Sequence, residues 1–184
     1  MPKPLKYAPD LLALALIYCF RLLPRWRRQG RARLLWCSVM FLYLVGVLYV
    51  TLMPVLAALP FCRNHPYIPM HLVPFDDLLR GYGDAKQQLI LNVIMTVPFG
   101  LLLPICRRCA GNKCTLLRCL LLTFALSLAI ELLQPLLSSA RRSDITDVIT
   151  NTLGGLLGYL LFLALRPLRA VFGWQGNPEF RHSA

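Results

Sequence analysis

The stretch ELLQPLLSSARRSDITDVITNTLGGLLG at residues 131–158 decides the fold, because it places charged and amide side chains inside or beside two long apolar segments. Those polar side chains are Glu131, Gln134, Arg142, Asp144, Asp147 and Asn151. A carboxylate at membrane depth costs about 2.5 to 3.5 kcal/mol on insertion scales, so such a group normally faces a partner, water or a ligand. The stretch therefore predicts a functional site where two membrane helices meet.

The composition of the whole chain is typical of an integral membrane protein. Its 184 residues are 57% apolar, which exceeds the usual share of a soluble domain. A helix needs roughly 20 residues to cross a hydrocarbon core, and four apolar runs approach or reach that length: Leu34 to Met53, Leu89 to Cys106, Leu116 to Leu137 and Val148 to Leu165. A shorter run, Leu11 to Phe20, fits a spanning, re-entrant or interfacial segment. We expect an all-α polytopic membrane helical bundle with four to five transmembrane helices.

The chain divides into three parts. Residues 1–33 hold the first apolar segment and an arginine-rich loop, residues 34–165 form the main membrane domain, and residues 166–184 are a C-terminal tail. A cleaved signal peptide is disfavoured for the first run. Asp10 interrupts its charged end, and Arg21 and Pro24 stand where a small-residue cleavage site should lie.

The basic residues predict the orientation of the helices, because short cytoplasmic loops are enriched in Lys and Arg. The six arginines from Arg21 to Arg33 mark the first connection as cytoplasmic. Alternate crossings then place 13 of the 20 basic residues inside and seven of the eight acidic residues outside. Such an arginine-rich loop follows from topology and can also bind anionic lipid, so no nucleic-acid partner is expected.

Residues 54–88 form the long external loop in this topology. Five prolines interrupt it, so we expect no continuous helix there, and a re-entrant course is compatible with its apolar content. After Pro74 the sequence fits a short helical turn that ends near Gly81.

The cysteines and histidines do not form a recognisable cofactor site. An odd count of seven cysteines, four of them crowded between Cys106 and Cys119, argues against a secreted disulfide framework, and we expect reduced thiols. His65 and His71 lack the HExxH spacing, and neither a P-loop nor a dinucleotide fingerprint occurs. We expect no metal site and no cofactor.

Each of the last three apolar segments carries a polar stripe at helical spacing. The stripes are Gln88, Asn92, Thr96 and Gly100; Thr123, Ser127, Glu131 and Gln134; and Asp147, Asn151, Gly154 and Gly158. Pro98 is expected to kink the first of these three segments. Because the predicted topology brings their polar ends to one side, we expect Asn92, Glu131 and Asp144 to gather near the outer surface.

Structural explanations stand beside the functional one. Asp144 can be the N-cap of the last helix with Asp147 in its first turn, where the helix dipole favours negative charge. Glu131 can be a neutral core residue that is hydrogen-bonded to Gln134 or Asn92.

The Gly154-x-x-x-Gly158 motif has two interpretations as well. Small residues at this spacing let membrane helices approach closely. We favour packing within the chain, while a homodimer remains the alternative.

Four motifs stand out in the chain: HLVPFDDLL at 71–79, NVIMTVPFGLLLP at 92–104, ELLQ at 131–134 and RRSDITDVITNTLGGLLGYLL at 141–161. Together they resemble the VanZ-like family of small bacterial membrane proteins. The resemblance covers roughly Leu34 to Leu165 and implies a multi-pass protein of the bacterial cytoplasmic membrane.

The resemblance also implies which positions matter. The matching residues are Pro74, Phe75, Asn92, Pro98, Gly100, Glu131, Gln134, Arg142, Asp144, Asp147, Asn151 and Gly155. One departure is His71, which stands where the family pattern has an asparagine before the L-[IV]-P-F run. We assign a structural role to five of these positions and to two further glycines of the last helix. The seven residues are Pro74, Phe75, Pro98, Gly100, Gly154, Gly155 and Gly158.

The family is associated with decreased teicoplanin susceptibility, which implies a role at the cell envelope. We expect a non-catalytic protein whose outer-leaflet pocket binds a lipid-linked cell-wall precursor or a lipoglycopeptide. The predicted ligand-binding residues are His71, Asn92, Glu131, Gln134, Arg142, Asp144, Asp147 and Asn151. The alternatives are an enzyme using Glu131 with Asp144 or Asp147 for acid–base chemistry on an envelope lipid, and a small proton-coupled transporter.

Overall fold

The computed structural model describes residues 3–62, 67–138 and 142–170. Five helices in these ranges are long and apolar enough to cross a membrane, and they are Leu5–Arg28, Arg31–Pro60, Ala85–Cys109, Leu116–Leu137 and Ile145–Leu168. The prediction of an all-α polytopic bundle is confirmed, with the upper figure of five helices. The protein is therefore a multi-pass membrane protein.

The first crossing is one unbroken helical rod. Helix α1, Lys3–Ile17, runs through a π-helical turn at Tyr18–Leu22 into α2, Leu23–Arg28. The rod extends beyond the Leu11 to Phe20 run, because helix continues through the flanking polar residues at both of its ends. Its length fits the spanning interpretation of this segment. Most of its surface is exposed in the isolated chain, as expected for a helix that faces lipid.

The second crossing consists of α3, Arg31–Thr51, followed by α4, Val55–Cys62. A cis peptide bond joins Met53 to Pro54 between them. The beginning of the predicted external loop is thus helical, although α4 stops well before α5, Asp76–Leu79. Helix α5 is the short turn that the sequence predicts, and the chain leaves it through Gly81 at φ 68°.

The last three crossings are α6, Ala85–Cys109; α7, Leu116–Leu137; and α8, Ile145–Leu165, which ends in a 3-10 turn. Side chains cap two of these helices: Thr115 accepts a hydrogen bond from the backbone of Arg118, and Asp144 accepts one from Thr146. The N-cap role predicted for Asp144 is therefore present. Capping explains why α8 begins earlier than the apolar run at Val148.

Glycines hold α6 and α8 in close contact. A Cβ atom at Gly100 of α6 would collide with the carbonyl oxygen of Gly155, and one at Gly158 would collide with the carbonyl oxygen of Val97. Gly154 lies similarly against α6. The small residues of α8 are therefore used for packing within the chain, which is the interpretation favoured from the sequence.

The loops segregate to the two ends of the bundle as the alternating topology requires. At one end, the Asp10 carboxylate accepts hydrogen bonds from the backbone of Val55 and Leu56, at 2.7 and 3.0 Å. At the opposite end, the Tyr159 hydroxyl donates to the backbone oxygen of Cys114, in the basic connection between α6 and α7. The first of these ends, which also holds residues 67–84 and 142–144, is called the acidic end below.

Candidate functional site

A cavity of about 980 Å³ lies at the acidic end, between α3, α6 and the start of α8. The apolar lining residues, called the apolar wall below, come from α3 and α6 and are Tyr43, Gly46, Val47, Val50, Leu91, Ile94, Met95 and Pro98. The polar lining residues, called the polar wall below, are His71, Asp77, Gln88, Asn92, Gln134, Arg142, Ser143, Asp144 and Asp147, and Thr51 of α3 adds one hydroxyl. The cavity can therefore hold a molecule with an apolar part and a polar head.

Helix α3 supplies the apolar wall through one face. Tyr43, Gly46, Val47 and Val50 follow the i, i+3, i+4, i+7 spacing that places residues on one side of a helix. The Tyr43 hydroxyl donates a hydrogen bond of 2.7 Å to the backbone oxygen of Met95, which fixes α3 against α6. A Cβ atom at Gly46 would meet open space, so this glycine leaves room in the cavity.

Backbone pairing positions the loop that carries His71. The His71 amide donates to the Ser143 carbonyl at 2.9 Å, and the Ile145 amide donates to the His71 carbonyl at 3.0 Å. The Phe75 amide donates to the Thr146 hydroxyl at 2.9 Å. These bonds attach the loop that precedes α5 to the residues just before α8 and to its first turn, so residues far apart in sequence share one site.

His71 stands between two carboxylates. Its Nε2 lies 3.6 Å from Asp76 Oδ2, and its Nδ1 lies 3.7 Å from Asp144 Oδ2. Asp76 also pairs with Arg80 at 2.7 Å. His71 therefore lies between the carboxylate that begins α5 and the carboxylate that caps α8.

Asn92 and Asp147 join α6 to α8 at the polar wall. The Asn92 Nδ2 donates to Asp147 Oδ1 at 2.6 Å. Both side chains line the cavity, together with Gln134 and Arg142. The structure therefore brings together six of the eight predicted ligand-binding residues: His71, Asn92, Gln134, Arg142, Asp144 and Asp147.

Glu131 is placed differently from the cavity residues. Glu131 is 2% exposed, and it is not among the described residues that line the cavity. The carboxylate accepts a hydrogen bond from the Asp144 amide at 3.2 Å, and the Glu131 backbone oxygen accepts one from the Ser143 hydroxyl. Ser143 and Asp144, just before α8, are therefore partners of Glu131. The hydrogen bond to Gln134 or Asn92 stays a prediction from the sequence. Glu131 supports the turn that presents Arg142 and Asp144 to the cavity.

Asn151 is also buried away from the cavity lining. Its Nδ2 donates to the Ser127 hydroxyl at 2.8 Å, which connects α7 and α8. The hydroxyl groups of Thr96 and Thr123 lie next to Gly154 and Gly155. The residues of the three polar stripes that lie farther from the acidic end therefore pack the helices against one another. Those nearer the acidic end, Glu131 excepted, reach the cavity.

The residues assigned to structure have separate roles. Phe75 adopts a left-handed backbone conformation at φ 59°, which is uncommon for a bulky residue, and follows Pro74. Pro98 lies inside α6 and lines the cavity. Gly100, Gly154, Gly155 and Gly158 are all buried at helix contacts. Among the described residues, no group of three side chains is placed to hold a metal ion.

The sequence analysis missed several residues of this end. Asp10 is 6% exposed and caps the start of α4. The argument used for Glu131, that a carboxylate beside an apolar segment needs a partner, would have singled it out. The face of α3 at Tyr43, Gly46 and Val50 also had a readable spacing. Asp77 gave no signal, because its position depends on the path of an irregular loop.

Comparisons with known proteins give a family match and a curated relative. The family model described as VanZ/LLP1 matches residues 40–166. A curated relative, Protein VanZ of Enterococcus faecium, is 33% identical over 125 residues, which cover 68% of this chain and 71% of the relative. A comparison with solved structures gives no match.

Proposed function

The chain belongs to the VanZ/LLP1 family, and we propose that its cavity binds a lipid-linked cell-envelope component or a lipoglycopeptide and so lowers susceptibility to teicoplanin. The proposed location is the cytoplasmic membrane of a bacterium, with the acidic end in the outer leaflet. The observation that carries the proposal is the cavity with one apolar and one polar wall.

The size and position of the cavity support an amphiphilic ligand. Its volume of about 980 Å³ lies at the upper end of the range of roughly 300 to 1,000 Å³ that is usual for small-molecule sites. The polar wall stands at the ends of α6, α7 and α8, where the head of a lipid would lie. The apolar wall along α3 and α6 extends toward the depth of an acyl chain.

A binding role is favoured over the acid–base alternative by the position of Glu131. General acid–base catalysis needs the carboxyl group within hydrogen-bond reach of the substrate, directly or through one water. The Glu131 carboxylate instead contacts the backbone of Asp144, and Glu131 is buried and not among the described residues that line the cavity. Asp144 is engaged as well, since it caps α8.

Expression in a glycopeptide-sensitive bacterium tests the proposal. Cells carrying the protein should show a higher inhibitory concentration for teicoplanin than cells carrying the empty vector, and a smaller change for vancomycin. The preference for teicoplanin is expected because its acyl chain can enter the apolar part of the cavity. Equal inhibitory concentrations with and without the protein, at verified membrane expression, would contradict the proposed function.

A further inference from the structure

We propose that the polar wall of the cavity selects amphiphiles whose head group carries a protonated amine, because Asp77, Asp144 and Asp147 outnumber Arg142, the one arginine or lysine among the described lining residues. This inference rests on the proposed function and names the ligand chemistry that the same cavity would take. Its basis is a cavity lined by both polar and apolar side chains. The charged side chains of that lining determine whether a cationic or an anionic ligand is preferred.

The charges of the cavity lining do not balance within the described part of the chain. The lining contains three carboxylates and one guanidinium group, besides His71. In this region Asp76 pairs with Arg80, and the His71 ring lies 3.6 Å from Asp76 and 3.7 Å from Asp144. Among the residues that the structure describes, no cationic side chain lies within 4 Å of a carboxylate of Asp77 or Asp147. The described part of the cavity lining thus carries more carboxylates than cationic groups.

An ammonium group fits this excess in charge and in hydrogen bonding. It carries three donors and no acceptor, whereas carboxylates in the ionised state only accept. Asp147 already accepts one bond from Asn92 and retains lone pairs for another donor. Charge-assisted bonds of this kind are shorter and stronger than neutral ones. The ammonium group of a ligand would therefore offset the excess negative charge of the described cavity lining.

An anionic head group is disfavoured by the same side chains. Among the described lining residues, a phosphate would meet three carboxylates and one guanidinium group, that of the exposed Arg142. Arg142 can still contact the phosphate of a zwitterionic lipid while the amine reaches the carboxylates. The expected order of affinity is a cationic head first, a zwitterionic head second and an anionic head last.

Two sources can supply such a head group. One is an amine-bearing phospholipid, such as an aminoacylated or ethanolamine lipid, and the other is a lipoglycopeptide with a free amine. Both present an ammonium group beside an acyl chain. The experiment below treats them in separate arms.

The test measures binding of chain-labelled lipids to the purified full-length protein in phosphatidylcholine nanodiscs. The lipid probes are lysyl-phosphatidylglycerol, phosphatidylethanolamine and phosphatidylglycerol with the same labelled chain. The glycopeptide probes are teicoplanin and N-acetylated teicoplanin. We expect lysyl-phosphatidylglycerol to bind about tenfold or more tightly than phosphatidylglycerol, a difference well within the range of two or three charge-assisted contacts.

Two variants and one control test whether the polar wall causes the preference for cationic lipids. Asp77→Asn is the cleanest, because this side chain is exposed and its change leaves the Tyr82 bond to the Asp77 backbone intact. Asp147→Asn is the second, and both should reduce the preference for the cationic lipid severalfold. Asp84→Asn is the matched control, since Asp84 is an exposed carboxylate at the same end but outside the cavity lining. It should leave the preference unchanged.

Each outcome separates this inference from the proposed function. If phosphatidylglycerol binds as tightly as lysyl-phosphatidylglycerol, the amine inference is wrong while amphiphile binding stands. If none of the lipid or glycopeptide probes binds, the proposed function fails first. Preference for amine in the lipid arm alone identifies a lipid ligand, and preference in the glycopeptide arm alone identifies the antibiotic. An unchanged preference in both Asp77→Asn and Asp147→Asn would also overturn the inference.

Discussion

Asn92 of α6 donates a hydrogen bond of 2.6 Å to Asp147 of α8, and this pair joins the two helices at the polar wall of the cavity. Farther from the acidic end, the glycines of α8 hold the same two helices in close contact. The pair therefore connects the packing of the bundle to the geometry of the site.

Replacing Asn92 with alanine removes the donor and leaves the Asp147 carboxylate without this partner. A hydrogen bond to a charged group contributes about 1.5 to 3 kcal/mol, so we expect a lower unfolding temperature in detergent as well as weaker amphiphile binding. Gln87→Ala is the matched control, because Gln87 is an exposed amide near the beginning of the same helix. An unfolding temperature equal to wild type for Asn92→Ala would show that the bond adds little to stability.

Glu131 is predicted to support structure instead of exchanging protons with a ligand. Glu131→Gln keeps a side-chain oxygen that can accept the bond from the Asp144 amide, so teicoplanin resistance should persist. Glu131→Leu removes that acceptor and leaves the amide without this partner, which costs about 1 to 3 kcal/mol. Resistance assays and membrane expression levels check both variants. A well-expressed Glu131→Gln protein without activity would instead favour the acid–base enzyme.

The contrast between Asp147 and Glu131 shows how far the sequence predicts this site. Helical spacing and alternating topology correctly bring the polar ends of α6, α7 and α8 together, because both follow from the positions of the residues along the chain. The rotation of α7 about its axis does not follow from spacing. Tertiary packing sets it, and it turns Glu131 toward the Ser143–Asp144 backbone while Gln134 reaches the cavity.

The contribution of α3 could be predicted only in part. Its apolar run identifies a membrane helix, but an apolar face toward a cavity and an apolar face toward lipid have the same composition. The carboxylate of Asp10, beside an apolar segment, likewise indicates that a hydrogen-bond partner is needed. The sequence does not identify that partner. Its partners, the amides of Val55 and Leu56, follow a cis peptide bond that sequence spacing does not reveal.

Asp10 is expected to stabilise the start of α4. Removal of a capping side chain typically costs about 0.5 to 2 kcal/mol, so Asp10→Ala should lower the unfolding temperature. Asp10→Asn should fall closer to wild type, because its amide oxygen can still accept a backbone hydrogen bond. If the two variants unfold alike at the wild-type temperature, this contact between α1 and α4 does not contribute to stability.

The orientation of the bundle is predicted from the distribution of basic residues. A cysteine introduced as Tyr82→Cys, with Cys62→Ala, should react with a membrane-impermeant maleimide in intact cells, because Tyr82 is 61% exposed at the acidic end. A cysteine introduced as Asn112→Cys should react only after permeabilisation. Burial raises the pKa of the nearby Cys114 thiol, which makes that native cysteine a slower target. The reverse labelling pattern would invert the topology and remove the outer-leaflet assignment.

The most direct measurement compares teicoplanin resistance in cells that express wild-type protein, Gly46→Phe, Gly46→Ala or Leu42→Phe at matched membrane levels. Gly46 borders the cavity with open space at its Cβ position, whereas Leu42 is 67% exposed on the same helix. Phenylalanine at position 46 should fill part of the cavity and abolish resistance, while alanine there and phenylalanine at 42 should preserve it. Full resistance in the Gly46→Phe protein would contradict a function that depends on a ligand in this cavity.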